Sequence, residues 1–227
     1  MPENRAQLGQ IYREYPYDFV RHIEAHSEIL DRGCVAVMSG DAVLDLGCGI
    51  GLFAERLIDK EVGYTGIDIS KSFIQVCRER YGAVPDFEFR TGNINQLEIE
   101  RNAWDVVVLI NVLYQASIDV DRTLEMTFNA LRSQGRAIVS GPCSIESYAR
   151  AEPQIRADLE RKGLLEGNEE IANQIREANR QLLTPDAHYW SLEGMVELLM
   201  SQSRVAIQSA WSDIFYGNGY LVLAEKR

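Results

Sequence analysis

The sequence predicts a doubly wound α/β fold, and three observations carry that prediction. Five short apolar runs recur through the first two thirds of the chain: AVLDLG (42–47), GYTGIDI (63–69), FEFRTGN (87–93), WDVVVLIN (104–111) and GRAIVSGP (135–142). Runs of that length, apolar in both parities, are how strands buried on both faces read. Stretches of helical character connect them, which implies right-handed βαβ units and a parallel sheet covered on both sides. The first run ends in a glycine-rich turn, Gly47-Cys48-Gly49-Ile50-Gly51, that opens the next helix.

The elements follow in order. From about Gln7 to Val37 the spacing suggests one or two helices with Ile11, Phe19, Val20, Ile23 and Leu30 as the apolar stripe, broken near Tyr15 by Pro16. A helix over about 52–60 follows the glycine turn. Ser70 is placed to cap the helix KSFIQVCRERYG, since a serine hydroxyl can take one of the free N–H groups of a first turn. Another helix spans about 121–131 and leads through Ser-Gln-Gly into the fifth strand. Alternation stops between Cys143 and Trp190, where the chain is charged and helical with no strand signal. A last helix (191–202) precedes AIQSAWSDIFY (206–216), Gly-Asn-Gly and YLVLAEKR, which read as an antiparallel hairpin. One domain over 1–227 is the economical organisation, with 1–38 as an N-terminal helical segment and 143–190 as a helical insertion.

Composition narrows the function. The chain has 227 residues, 46% of them hydrophobic, and a formal net charge of −11. Nucleic-acid binding draws on clustered Lys and Arg, so such a surface disfavours DNA, RNA and anionic membranes. No run is long and apolar enough for a transmembrane helix, and the polar N-terminus lacks a signal-peptide core, so a cytoplasmic location is expected. Cys34, Cys48, Cys77 and Cys143 are widely spaced with no C-x-x-C pair, which argues against a zinc site or a disulfide framework. His22 and His26, in H-I-E-A-H, would share a helix face, yet a metal needs a third ligand that the spacing does not offer. No metal is expected.

The glycine turn is the strongest local signal. Its spacing is G-x-G-x-G; a dinucleotide fingerprint would put its third glycine at position 52, which is Leu52. Tight βα turns also use glycine for purely structural reasons. Asp68, about 20 residues on and ending the second strand, could accept hydrogen bonds from both hydroxyls of a ribose. The third strand ends at Gly92-Asn93 and the fourth at Asn111-Val112-Leu113-Tyr114. All fall at carboxyl ends of strands, where open α/β sheets bind ligands.

With these residues in view, the chain resembles a known family. VLDLGCGIGLFA, GIDIS, RTGNI, WDVVVLINVLY and LRSQGRAIV are similar to the successive motifs of class I S-adenosylmethionine-dependent methyltransferases, densely over about residues 40–142. The resemblance implies a Rossmann-like sheet in the order 3-2-1-4-5-7-6 with strand 7 antiparallel, and S-adenosyl-L-methionine as cofactor. It implies that Gly47, Gly49 and Gly51, with Cys48 among them, pass under the methionine moiety, and that Asp45 orients its amino group. It implies that Asp68 holds the ribose with Ile69 against the adenine, and that Ile94 packs the ring. Asn93 stands where many members carry Asp, leaving an uncharged partner for the adenine amine. Asn111 would offer its carbonyl near the sulfonium. The family often lays an N-terminal segment over the cofactor, for which Tyr12, Tyr15 and Tyr17 are candidates; packing at an interface explains them equally. The family usually builds its substrate cover where the 143–190 insertion falls, although a solvated helical face would read the same way.

Methyl transfer from a sulfonium is an in-line displacement on an activated carbon, so a protein mostly aligns the nucleophile and excludes water. No dedicated catalytic motif is present. His188, in TPDAHYW, is the candidate general base, though a polar residue packed at a helix entrance looks no different. Tyr114 is expected beside the methyl-bearing end, as a catalytic group or as a pocket wall. The place after the fourth strand reads N-V-L-Y, without the two prolines common in nucleic-acid N-methyltransferases. A small-molecule methyl acceptor is therefore expected. Transfer or cyclisation of the aminocarboxypropyl arm, with release of methylthioadenosine, is the alternative, and a non-catalytic partner subunit a further one. Oligomeric state is open, a homodimer included.

Overall fold

The computed structural model describes residues 17–227. A seven-stranded sheet runs through it in the order β3-β2-β1-β4-β5-β7-β6. The strands are β1 (Ala42–Leu46), β2 (Gly63–Asp68), β3 (Phe87–Thr91), β4 (Trp104–Ile110), β5 (Leu131–Pro142), β6 (Val205–Trp211) and β7 (Gly219–Lys226). The first five pair in parallel, and β7 is antiparallel to both β5 and β6. This is the expected topology, with the strand order reversing between β1 and β4, on either side of which ligands gather in open sheets.

Helices cover both faces. They are α1 (Tyr17–Val20), α2 (Glu24–Cys34), α3 (Leu52–Glu55), α4 (Lys71–Tyr81), α5 (Val120–Ala130), α6 (Ser147–Arg161), α7 (Glu169–Leu182), α8 (Leu192–Met200) and the turn α9 (Ile214–Gly217). Side chains alternate across each strand, so neighbouring residues serve two cores. Val43, Val106, Val108, Ile138 and Leu221 join α2, α4, α6 and α7 on one face. Leu44, Val107, Leu109, Val139 and Val222 join α5 and α8 on the other. That double burial explains why these strands read as unbroken apolar runs. Caps set the helix starts: Ser70 accepts from Phe73 N at 3.3 Å, Asp119 from Arg122 N at 3.1 Å and Ser191 from Gly194 N at 3.1 Å.

Several sequence expectations change. The N-terminal helical region, where described, is α1 and α2 separated by a turn closed by His22 N→Phe19 O and Ile23 N→Val20 O, both 3.0 Å. His22 therefore lies outside α2, and the two histidines do not share a helix face. The helix over 52–60 is α-helical only to Glu55; Arg56, Leu57 and Lys60 donate to the residue three before each, giving tight turns. The run 206–216 leaves the sheet after Trp211, because Ile214 turns into the core and is fully buried. Phe215 and Tyr216 then both take φ of 54°, and the Tyr216 hydroxyl donates to Asp158 of α6. The hairpin link is thus the segment 212–218 rather than a short Gly-Asn-Gly turn.

The insertion after β5 forms α6 and α7. Tyr148, Ala151, Ile155, Leu159 and Ile175 bury their side chains in the same core as α2, so these helices are integral to that face. No described helix is long and apolar enough to cross a membrane.

Candidate cofactor and acceptor site

The carboxyl ends of β1, β2 and β4 open on one cavity of about 370 Å³. At the end of β1, Gly47 N and Cys48 N donate to Ile67 O at 2.7 and 3.1 Å, which folds the glycine turn over β2. Gly47 has φ of 82°, and a Cβ there would meet Val112 at 2.5 Å, so only glycine closes this turn. Asp68, 8% exposed, sits at the end of β2. Its carboxylate accepts from Gly49 N at 3.0 Å and Ser70 N at 2.8 Å. Burial pushes its pKa up, against the pull of those backbone donors.

Asp45 is the more perturbed acid. It is 3% exposed, and burial, with the Asp68 charge adding, raises its pKa to about 7 in spite of a 2.6 Å hydrogen bond from the Tyr64 hydroxyl. The partnership follows from register: Val43 pairs with Tyr64, so Asp45, two residues on, lies on the same face. Gly66 leaves room for the ring, since a Cβ there would approach it to 3.1 Å.

The remaining strand-end residues complete the rim. Asn93 caps a 3₁₀ turn (Ile94–Gln96) with its amide oxygen on Asn95 N at 3.1 Å. Ile94 is buried beside it, while Ile69 is 52% exposed at the mouth. Asn111 takes φ of 56°, a left-handed conformation that asparagine tolerates, and its N–H donates to Ser140 O at 2.9 Å. Asp45, Gly47, Cys48, Gly49, Asp68, Ile69, Asn93, Ile94, Asn111 and Tyr114 all line the cavity. Gly51 does not; it caps α3 with φ of 81° and supports the turn from behind, against Tyr81.

The opposite wall comes from helices. Val20, Ile23, His26 and Leu30 approach from α1, the turn after it and α2, Tyr148, Ile175 and Leu183 from α6, α7 and the residue that ends α7, and Phe215 from the strained α9 turn. Tyr114 is buried, which pushes its phenol pKa up and keeps it neutral. His188 is not on this wall. Its N–H donates to Tyr114 O at 2.8 Å and its ring stacks on Trp190 at 5.7 Å, so the backbone tie holds the loop while the ring turns to the neighbouring core. His188 is thus not among the described residues that line the cavity. Tyr12 and Tyr15 lie outside the described residues; Tyr17 begins α1.

Two residues that the sequence reading passed over stand out. Tyr64, in the middle of β2, carries the only side-chain hydrogen bond to Asp45 among the described residues; a tyrosine amid a buried strand looks like core until register is known. In sequence His26 stands out only as a metal-ligand candidate beside His22. The signal that could have found it is the apolar stripe Ile23, His26, Leu30 at helical spacing, one polar residue on a buried face.

The set fits a cationic nucleoside ligand. Asp45 and Asp68 are two buried carboxylates at adjacent strand ends, and burial, with the Asp68 charge adding, raises the pKa of Asp45. No Lys or Arg is among the described residues lining the cavity, so a ligand bringing positive charge would relieve both acids. Asp68 has lone pairs left for ribose hydroxyls beyond its two backbone bonds.

Comparison with known proteins agrees. A family model described as a methyltransferase domain matches residues 38–184. A "probable S-adenosylmethionine-dependent methyltransferase" of Mycolicibacterium smegmatis is 30% identical over 129 residues, 57% of this chain and 47% of that protein. A ubiquinone biosynthesis O-methyltransferase of Alkalilimnicola ehrlichii is 44% identical over 45 residues, 20% of this chain and 18% of that one. Across the curated relatives the matched stretch spans as little as 11% of the relative's length. In fold, the chain superposes on phosphoethanolamine N-methyltransferase 1 of Haemonchus contortus, solved with phosphoethanolamine and S-adenosylhomocysteine, at a TM-score of 0.70. The identity there is 15%, over 99% of this chain and 48% of that one. With the family model covering well over half of the sequence and the sheet order of class I enzymes beneath it, this chain belongs to the S-adenosylmethionine-dependent methyltransferase family.

Proposed function

We propose that this protein transfers a methyl group from S-adenosylmethionine to a small-molecule acceptor. The observation that carries the reading is one shared cavity: the strand-end ring from Asp45 to Asn111 forms one side and the helical wall of α2, α6 and α7 the other. When bound, the cofactor supplies a methyl carbon already activated by a sulfonium. Asp68 would hold the ribose hydroxyls, Asp45 the amino group, and Asn93 and Ile94 the adenine edge and face. The Asn93 oxygen is shared with Asn95 N, which leaves its NH₂ free to donate to a ring nitrogen. The turn at Gly47–Gly49 lets backbone approach the ligand closely.

The rest of the work is alignment and water exclusion. The 143–190 segment and the N-terminal segment 1–38 act as the acceptor cover, since the helices they contain supply the wall facing the strand ends. A cavity of about 370 Å³ enclosed by helices suits a small acceptor better than a polymer, and the net charge of −11 points the same way. Phosphoethanolamine in the Haemonchus complex is a small acceptor of that kind.

Titration calorimetry tests the reading. S-adenosylhomocysteine is expected to bind in the micromolar range while NAD gives no heat. NAD binding without a response to the sulfonium ligand or its product would refute it. In turnover, S-adenosylhomocysteine rather than methylthioadenosine is the expected product.

A further inference from the structure

Resting on the methyl-transfer reading, we infer that the acceptor is an uncharged aromatic hydroxyl compound and that His26 takes the hydrogen bond, and then the proton, of its hydroxyl. Ile23, His26 and Leu30 fall at i, i+3 and i+7 and all line the cavity. The same helical wall carries Tyr148, Ile175 and Leu183, two aliphatic side chains and one neutral phenol. His26 is the one imidazole on this wall.

Neither ring nitrogen of His26 has a hydrogen-bond partner among the described residues, and Nδ1 is fully buried. A buried polar group left in that state is costly, and a ligand group that bonds to it recovers the loss. Burial, aided by the Arg56 guanidinium, lowers the ring's pKa to about 4, so the imidazole is neutral at physiological pH and keeps a lone pair. Arg56 is fixed in place by Asp31 at 2.9 Å and Ser27 at 2.7 Å. Among the described lining residues the other titratable groups are Tyr114 and Tyr148, both neutral with raised pKa values, the Cys48 thiol, also pushed up, and Asp45 and Asp68 at the cofactor end.

These charges select the acceptor. An anionic acceptor would be buried beside two carboxylates with no Lys or Arg among the described lining residues. A cationic amine would first have to lose a proton to a ring that holds protons poorly. A neutral hydroxyl meets neither obstacle, and the aromatic side chains of Tyr114, Tyr148 and Phe215 line the cavity that a flat body would enter. As the oxygen–methyl bond forms and the sulfur–methyl bond breaks, the hydroxyl proton passes to the imidazole. Positive charge leaves sulfur and appears on the ring, so charge is moved within the cavity rather than created there. The methylated oxygen before proton loss is a far stronger acid than an imidazolium, so even a weakly basic ring accepts.

The chain has three histidines, so their ring signals are resolvable by ¹⁵N NMR of the full-length protein, with His26 assigned by its loss in His26→Asn. Saturated with S-adenosylhomocysteine, the protein is expected to shift the His26 signal on addition of 2-naphthol or catechol, and to leave it unmoved with phosphoethanolamine. With S-adenosylmethionine and those phenols, His26→Asn is expected to lose on the order of 100-fold in kcat while binding S-adenosylhomocysteine as the wild type does. No His26 shift with either phenol, wild-type kcat in His26→Asn, or methylation of phosphoethanolamine in preference to the phenols would overturn the proposal. Should His26→Asn fail to fold, the wild-type titration decides, with His26 assigned by elimination from the signals lost in His22→Asn and His188→Asn. Failure of S-adenosylhomocysteine to bind the wild type would instead overturn the methyl-transfer reading.

Discussion

Asp45 gives the sharpest test of the cofactor end of the cavity. Its pKa is raised to about 7 by burial, with Asp68 adding and the Tyr64 hydroxyl opposing. Only the carboxylate pairs well with a cofactor ammonium. The ionised fraction rises from about one tenth at pH 6 to about nine tenths at pH 8, so affinity for S-adenosylhomocysteine is expected to strengthen about tenfold over that range. Tyr64→Phe removes the one influence that lowers the pKa, so the midpoint moves to higher pH and binding at pH 7 weakens severalfold. Stability without ligand runs the other way. The native acid binds a proton that the unfolded one releases near 3.8, so stability falls as pH rises from about 4 to about 7. The loss is on the order of 4 kcal/mol at most, at about 1.4 kcal/mol per pH unit. Calorimetry at pH steps and urea melts of the apoprotein measure the two effects. An affinity flat between pH 6 and 8, in a protein whose Tyr64→Phe variant titrates identically, would refute the reasoning.

Other expectations follow from the same geometry. Asp68→Ala should weaken cofactor binding by about 1.5–3 kcal/mol for each lost charged hydrogen bond; wild-type affinity in a folded variant, by calorimetry, would mean the ribose is held elsewhere. Gly47→Ala must displace Val112, 2.5 Å from the new Cβ, whereas Gly49 faces open space. A thermal melt should therefore show Gly47→Ala as the more destabilised, and equal melting temperatures would contradict the turn geometry. Arg136, nearly buried, donates to both Asp41 oxygens at 2.9 Å and to Ala36 O at 2.7 Å. Asp41→Ala should cost about 3–5 kcal/mol by stranding that charge, read as a lowered urea midpoint; a loss below 1 kcal/mol would show that water reaches the guanidinium.

Most of the sheet was legible because its strands are buried on both faces, and Val43–Leu46 and Val106–Leu109 show that directly in sequence. The strand-end residues were legible for a related reason: Asp68 and Asn111 fall at fixed places after apolar runs, and the resemblance gave them roles. His188 is a candidate on scarcity alone; its ring stacks on Trp190, a contact that no local pattern announces. The 206–216 run misled because Ile214 looks like a strand residue while serving as a core plug behind a turn with two aromatic residues at positive φ.

The sequence by itself determined the alternation of strands and helices, the glycine turn and the acid at the end of β2, because burial and backbone conformation leave marks at periods of two and 3.6 residues. The tertiary structure alone decided which distant side chains meet. Register set Tyr64 against Asp45. The seating of α2 over the strand ends turned His26 from one residue in an apolar stripe into an unbonded imidazole on the cavity wall. Such pairings depend on how elements pack across the chain, and packing has no period to read.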